Sequence, residues 1–518
     1  MIQPTRRTAL SMLACMAVMG LRPAMSQTGA DALAEVTGMT LGAAAPFDPV
    51  LLALQARALA GKPYVPAPQV SRGWRDLTYD QFRGIWFDTR HTFFRGTKSP
   101  VQVEFFPAGL FFTSKIALNA VQGGQSRPIL FEKRVFDVTD QFPDLPEHDT
   151  GFAGFRLLGE LVAQDVFQEY AVFQGASYFR AISRGLGYGI SARGLALNTA
   201  GDGPEEFPVF REFWIEAALP GAKSAVVHAL LDSPGTTGAY RFTLTPGDTT
   251  TIDVEAKLYP RKVLAQVGIA PGTSMFLFND MNNTAFDDFR EAVHDSDGLL
   301  IHNGAGESVW RPLTNPATLQ ISVFADTGLR GFGLMQRARD PENYNDFVAD
   351  YERRPSLWVE PVGNWGDGTV MLVEIPTDKE INDNIVAFWR PAAPLAALTE
   401  HRFDYRLHWC ADAPAEGTVA RVTATRTGKR VFEDGRIFTV DFGAHPALGG
   451  DPTRIEARVT TSVGEIRSLL VQTNPATGGM RLDLTLLIGD GEVAELRAEL
   501  WRGGQRVSEV WLYRWIAA

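Results

Sequence analysis

Short runs rich in Phe, Val, Ile, Thr and Tyr recur along the chain and are cut by Gly, Pro, Asn or Asp, and no other feature limits the fold as tightly. Val101 to Phe106, Leu110 to Ile116, Tyr240 to Leu244, Thr251 to Leu258, Ala265 to Ile269 and Leu319 to Phe324 are of this kind. Such runs are too short for helices and read as strands, and many strands at this spacing predict a large all-β sandwich. Two helices interrupt the pattern. Asp48 is placed as an N-cap, Pro49 suits the first helical position, Val50 to Ala60 is helix-prone, and Gly61 with Pro63 ends it. A second, shorter helix starts at Thr78.

A chain of 518 residues exceeds what one core usually supports, so a large domain and a small one are expected. The boundary is placed at Pro391-Ala392-Ala393-Pro394-Leu395-Ala396-Ala397, which holds two prolines and little to pack. This puts a large β domain at 27–390, a linker at 391–402 and a small domain at 403–518. In the last, Phe403, Tyr405, Leu407 and Trp409 alternate with polar residues, the mark of a half-buried strand. Alternation returns in Arg436 to Phe442, Arg481 to Ile488 and Val507 to Trp515, which predicts a small immunoglobulin-like sandwich.

The N-terminus reads as an address. Arg6-Arg7 precedes an uncharged apolar stretch, and Ala24-Met25-Ser26 offers small residues for cleavage, so 1–26 is assigned as an export signal. The arginine pair also suits twin-arginine export, although the usual aromatic after it is missing. Cleavage there removes Cys15 and leaves Cys410 alone, so no internal disulfide is expected. The net charge of -11 argues against a nucleic-acid partner, because phosphate binding draws on clustered Lys and Arg.

Several common chemistries lack their residues. No two of the eight histidines stand at metal-binding helical spacing, no Walker loop or G-x-S-x-G elbow occurs, and Gly185 to Gly189 lacks a dinucleotide fingerprint, so neither metal nor cofactor is implied. Aromatic rings, arginines, amides and carboxylates remain, the residues that bind and hydrolyse sugars. Three segments concentrate them. Gln174 to Arg180 and Tyr188 to Leu195 mix small residues with Tyr178, Arg180 and Arg193. His294-Asp295-Ser296-Asp297 reads either as a turn with side-chain caps or as part of an acid–base site. The stretch from Tyr351 leads through Arg354, Trp358 and Glu360 to Asp383 and Asn384, where Asp383 is either a strand-edge cap or a partly desolvated proton donor.

At Gly151 to Arg156, Gly175 to Arg180, Ser191 to Ala196, Leu230 to Ser233, Gly268 to Pro271, His294 to Asp297, Gly331 to Leu334, Arg354 to Pro361 and Asp383 to Val386 the chain resembles the family of osmoregulated periplasmic glucan biosynthesis proteins G and D. The matches run in order over essentially the whole mature chain. The resemblance implies a galactose-mutarotase-like β-sandwich followed by an immunoglobulin-like domain, a periplasmic location, and work on a linear or cyclic β-1,2-linked glucose polymer. It further implies an inverting, endo-acting glycoside hydrolase, with Asp383 as general acid and Asp295 as general base. Tyr178, Arg180, Arg193, Tyr351, Arg354, Trp358, Glu360 and Asn384 are expected to line the cleft, each with a core or salt-bridge role as the alternative. The rival reading is a non-catalytic factor guiding polymer from a membrane glucosyltransferase, and the family also suggests a homodimer. The arginine pair leans toward the D type, whereas the G type is the one tied to the backbone pathway.

Overall fold

The computed structural model describes residues 38–516 apart from 98, 139–144, 220 and 415–417; the export signal assigned to 1–26 lies outside the described residues. Both expected helices form. Asp48 accepts from Val50 N at 2.7 Å to start Pro49–Ala60, which lays Leu52, Ala53, Ala56 and Ala60 on the strands beneath it. Thr78 and Gln81 exchange side-chain and backbone bonds to cap Tyr79–Arg83.

Strands dominate the rest, as their sequence pattern predicts. One sheet of 16 strands runs from Ala45–Pro46 through Val209–Glu216, Ala225–Asp232, Thr236–Thr245 and Thr250–Pro260 to His401–Cys410, Ser356–Val362, Gly331–Met335, Gly298–His302 and Ser308–Pro312, and on into Val510–Ile516, Val493–Arg502 and Glu456–Thr461. A second sheet of 10 strands includes Asp367–Glu374, Ile385–Pro391, Val267–Ser274, Ser191–Arg193, Tyr178–Ala181, Gln168–Gln174, Phe152–Gly159 and Val101–Pro107. The sheets meet through aromatic rings: Phe155 lies 5.1 Å from Phe213, and Phe173 and Phe179 each lie 5.2 Å from Phe242. Burying a side chain of this size contributes about 1.5–3 kcal/mol. Because Phe179 faces this core, its neighbours Tyr178 and Arg180 point to the opposite face of the second sheet.

Two expectations are corrected. The strand His401–Cys410 does not open the small domain; it pairs with Thr250–Pro260 on one side and Ser356–Val362 on the other, within the large sheet. The supposed linker is docked as well, since Leu395 is buried and exchanges backbone hydrogen bonds with Leu264 at 2.9 and 3.0 Å. The chain therefore leaves the large sheet after Cys410. The alternation of 403 to 409 is equally compatible with either sandwich, and only pairing partners decide between them. Second, Leu110 to Ile116 forms a turn rather than a strand: Gly109 and Phe112 bridge each other and Leu110 adopts φ +48°.

The C-terminal sandwich sets Val422–Lys429, Arg436–Phe442, Met480–Leu487 and Glu465–Thr473 against Val510–Ile516, Val493–Arg502 and Glu456–Thr461. The latter sheet continues the large one, because Val510 and Trp511 pair in parallel with Val309 and Trp310. Its core of Phe438, Leu482, Leu484 and Trp511 is completed by Leu300, Trp310, Met335 and Trp358 from the large sheet.

Candidate functional site

Tyr178 and Arg193 are register partners on neighbouring strands of the second sheet. The Arg193 guanidinium lies 4.9 Å from the Tyr178 ring centroid and 5.4 Å from that of Phe207, and it donates to Glu205 at 2.7 Å. Rings on either side and a carboxylate beyond hold the cation in one orientation. Arg180, two residues on, is exposed.

Asp383 is brought to this face by the residue after it. Asn384 is buried; its Oδ1 accepts from Phe276 N at 2.8 Å, and its Nδ2 donates to the carbonyls of Phe276 at 2.9 Å and Ile375 at 3.0 Å. Phe276 is in turn the register partner of His294 in a two-stranded ribbon, and Asp295 follows His294. One amide thus ties the segment of one aspartate to the segment of the other. Gln336 fixes the ribbon from behind: its Oε1 accepts from His294 Nδ1, and its Nε2 donates to the carbonyls of His294 and Tyr351, all at 3.0 Å. Burial lowers the His294 pKa, which favours the neutral ring stacked on Phe276.

Arg354 Nε stands 3.6 Å from Asp295 Oδ1, its guanidinium 5.2 Å from the Tyr351 ring, and it donates to the carbonyls of Tyr188 and Ala349. Burial pushes the Asp295 carboxyl up to about 6, with Arg354 opposing, the charge of Asp383 adding and Arg180 opposing. Asp383 is raised by surrounding protein, with Arg180 and Arg193 opposing. Its side chain is nevertheless exposed, so the carboxyl is open to solvent while protein around it disfavours its charge. Tyr178 is raised by burial, against the pull of Arg193, with the charge of Glu205 and, less, that of Asp383 adding. Asp295, Asp383, Tyr178, Arg180, Arg193, Tyr351 and Arg354 therefore form one electrostatic neighbourhood.

Three residues expected to line the cleft have other partners. Trp358 is 2% exposed in the core shared with the C-terminal sandwich, its ring 4.7 Å from His302. Glu360, on the same strand of the large sheet, accepts from His408 Nε2 at 2.9 Å. Asn384 spends its amide on backbone, so it positions rather than binds. The motif His294 to Asp297 divides between both of its readings: Asp297 Oδ2 accepts from the backbone of Arg337 and Ala338 at 2.9 Å, while Asp295 joins the charged cluster.

Arg290 carries no sequence signal and yet links three loops, at 2.8 Å from Asp288, 3.0 Å from Asp346 and 2.8 Å from Glu380. These loops lead to Asp295, to Tyr351 and Arg354, and to Asp383 respectively. Gln336 and Glu205 were equally illegible, since their partners are remote in sequence. Among the described residues, no group of three His, Cys, Asp or Glu side chains is placed to hold a metal ion.

A family described as "Periplasmic glucan biosynthesis protein, MdoG" matches residues 47–515. A protein named glucans biosynthesis protein G from Rhodopseudomonas palustris (strain BisA53) is 47% identical over 474 residues, 91% of this chain and 94% of its own. The protein of that name from Bradyrhizobium diazoefficiens is 45% identical over 496 residues, 96% and 98% of the two chains. One from Vibrio cholerae serotype O1 (strain ATCC 39541) is 46% identical over 480 residues, 90% and 87%.

Proposed function

The chain belongs to the periplasmic glucan biosynthesis family MdoG, and from that premise we propose that it is an inverting, endo-acting β-1,2-glucanase that trims the glucan backbone. The observation that carries the reading is the charge coupling of Asp295 to Asp383, remote in sequence, with Arg180, Arg193 and Arg354 acting on the same pair.

Inverting hydrolysis needs one carboxyl that holds its proton at the leaving oxygen and one carboxylate that takes a proton from water. Asp383 suits the first role. It is already raised while exposed, and a sugar chain lying over it replaces water and raises it further. Asp295 suits the second, because Arg354 at 3.6 Å favours its ionised form above about pH 6. In the proposed reaction Asp383 protonates the glycosidic oxygen as the bond to the anomeric carbon breaks. Water attacks that carbon from the opposite side and gives its proton to Asp295, so the configuration inverts.

The test is release of new reducing ends from β-1,2-glucan. Wild type is expected to release them, and Asp383→Asn is expected to lose at least a thousandfold in turnover while still binding the polymer. If wild type binds glucan but releases nothing, the protein is instead a binding factor that guides nascent polymer from a membrane glucosyltransferase. Detection of that enzyme, or of a homodimer, by crosslinking addresses the partner expected in either case.

A further inference from the structure

We infer that the cavity between the turn at 109–114 and the strand end at 174–178 is a stacking subsite for one glucosyl unit of the polymer, on the Arg193 side of Asp383; the inference rests on the glucan reading of the cleft.

The cavity has a volume of about 200 Å³ and is lined by Phe111, Phe112, Ser114, Gln174, Tyr178 and Phe207 over a floor of core phenylalanines. That is smaller than a site for an oligosaccharide-sized ligand and suits a single ring. Its walls are unusual. Phe111 is 76% exposed and Phe207 48% exposed, although phenylalanine is among the residues most often buried. A single exposed ring needs no explanation. Two rings from remote segments, flanking one cavity, do.

Both loops that frame the cavity also hold non-glycine residues in the left-handed region: Leu110 at φ +48° and Ala176 at φ +43°. Each costs on the order of 1 kcal/mol or more and persists only where the surroundings impose it. At Leu110 the result is a turn in place of the strand that the sequence predicts, and that turn carries Phe111 outward. Gly175, at φ +78°, suits the position opposite it, where a Cβ would crowd the Phe112 ring at 3.0 Å.

Tyr178 joins the cavity to the acid. It lines the cavity, and Arg193 packs between its ring and that of Phe207. A hexopyranose has apolar C–H faces and a polar edge. The phenylalanine rings complement the faces, and Ser114 and Gln174 offer hydroxyl and amide groups to the edge.

The experiment uses the full mature chain carrying Asp383→Asn, so that probes stay intact, and linear β-1,2-gluco-oligosaccharides of increasing length. Adding Phe111→Ala or Phe207→Ala is expected to weaken binding of long probes about tenfold and of the shortest binding probe less than twofold, with Phe111→Trp restoring the long-probe affinity. Both rings are exposed, so thermal melting is expected to be unchanged. Equal weakening at every length, or no weakening at any length, overturns the subsite. Turnover is measured separately in the wild-type background: length-dependent binding without new reducing ends leaves the subsite standing and removes the hydrolase.

Discussion

At Asp295, burial opposes charge. The folded protein holds this carboxyl proton up to about pH 6, whereas the unfolded chain releases it near 3.8. Between those values the native state binds more protons, so this group's contribution to stability falls as pH rises and is fully present only below about 3.8. At about 1.4 kcal/mol per pH unit the cost at neutral pH reaches about 3 kcal/mol at most, reduced where Arg354 loses its partner. Asp295→Asn is therefore expected to melt higher than wild type at pH 7, and the difference should vanish below pH 4 in melts across that range. The same variant should be inactive, a trade of stability for function. In wild type the acid limb of turnover is expected near pH 6, as Asp295 ionises, and a limb indifferent to Asp295→Asn would remove it as the base.

At the scale of the element, a ribbon and a strand start are joined by one side chain, and three loops by another. Asn384→Ala removes the bonds to Phe276 and Ile375 and leaves their buried backbone groups unpaired, at about 1–3 kcal/mol. Turnover is expected to fall far more than glucan affinity, because the spacing of the aspartates changes while the cleft walls stay. Equal losses in both would make Asn384 a ligand after all. Arg290→Ala leaves Asp288, Asp346 and Glu380 facing one another without their shared cation. Hydrogen exchange is expected to rise in the loops around all three, with the strand Thr236–Thr245 unaffected. Arg290→Lys should recover only part of the protection, since an ammonium lacks the planar fork that reaches several carboxylates.

Across the whole molecule, the C-terminal sandwich is joined to the large sheet by strand pairing, a shared core and a buried ion pair. Arg337 donates to Glu509 at 2.6 and 2.8 Å, both side chains are buried, and the guanidinium lies 3.7 Å from the Trp310 ring centroid. Arg337 N also donates to Asp297, two residues from Asp295, so the seam reaches the site. Glu509→Ala strands that cation and is expected to cost about 3–5 kcal/mol in denaturant unfolding. A loss below 1 kcal/mol would mean that strand pairing and shared apolar core alone hold the seam.

Properties carried by neighbours in the chain were legible from sequence. Period-two alternation marked strands such as Arg436–Phe442, Asp48 and Thr78 marked helix starts, and serial motifs marked the family. Alternation states which residues share a face, and it is silent on what that face meets. Only the tertiary structure put Trp358 in a core, gave Glu360 to His408, turned the Asn384 amide onto backbone and paired His401–Cys410 inside the large sheet. Those outcomes depend on partners far away in the chain, and the free energy that selects them is that of contacts which exist only once the sheets have closed on each other.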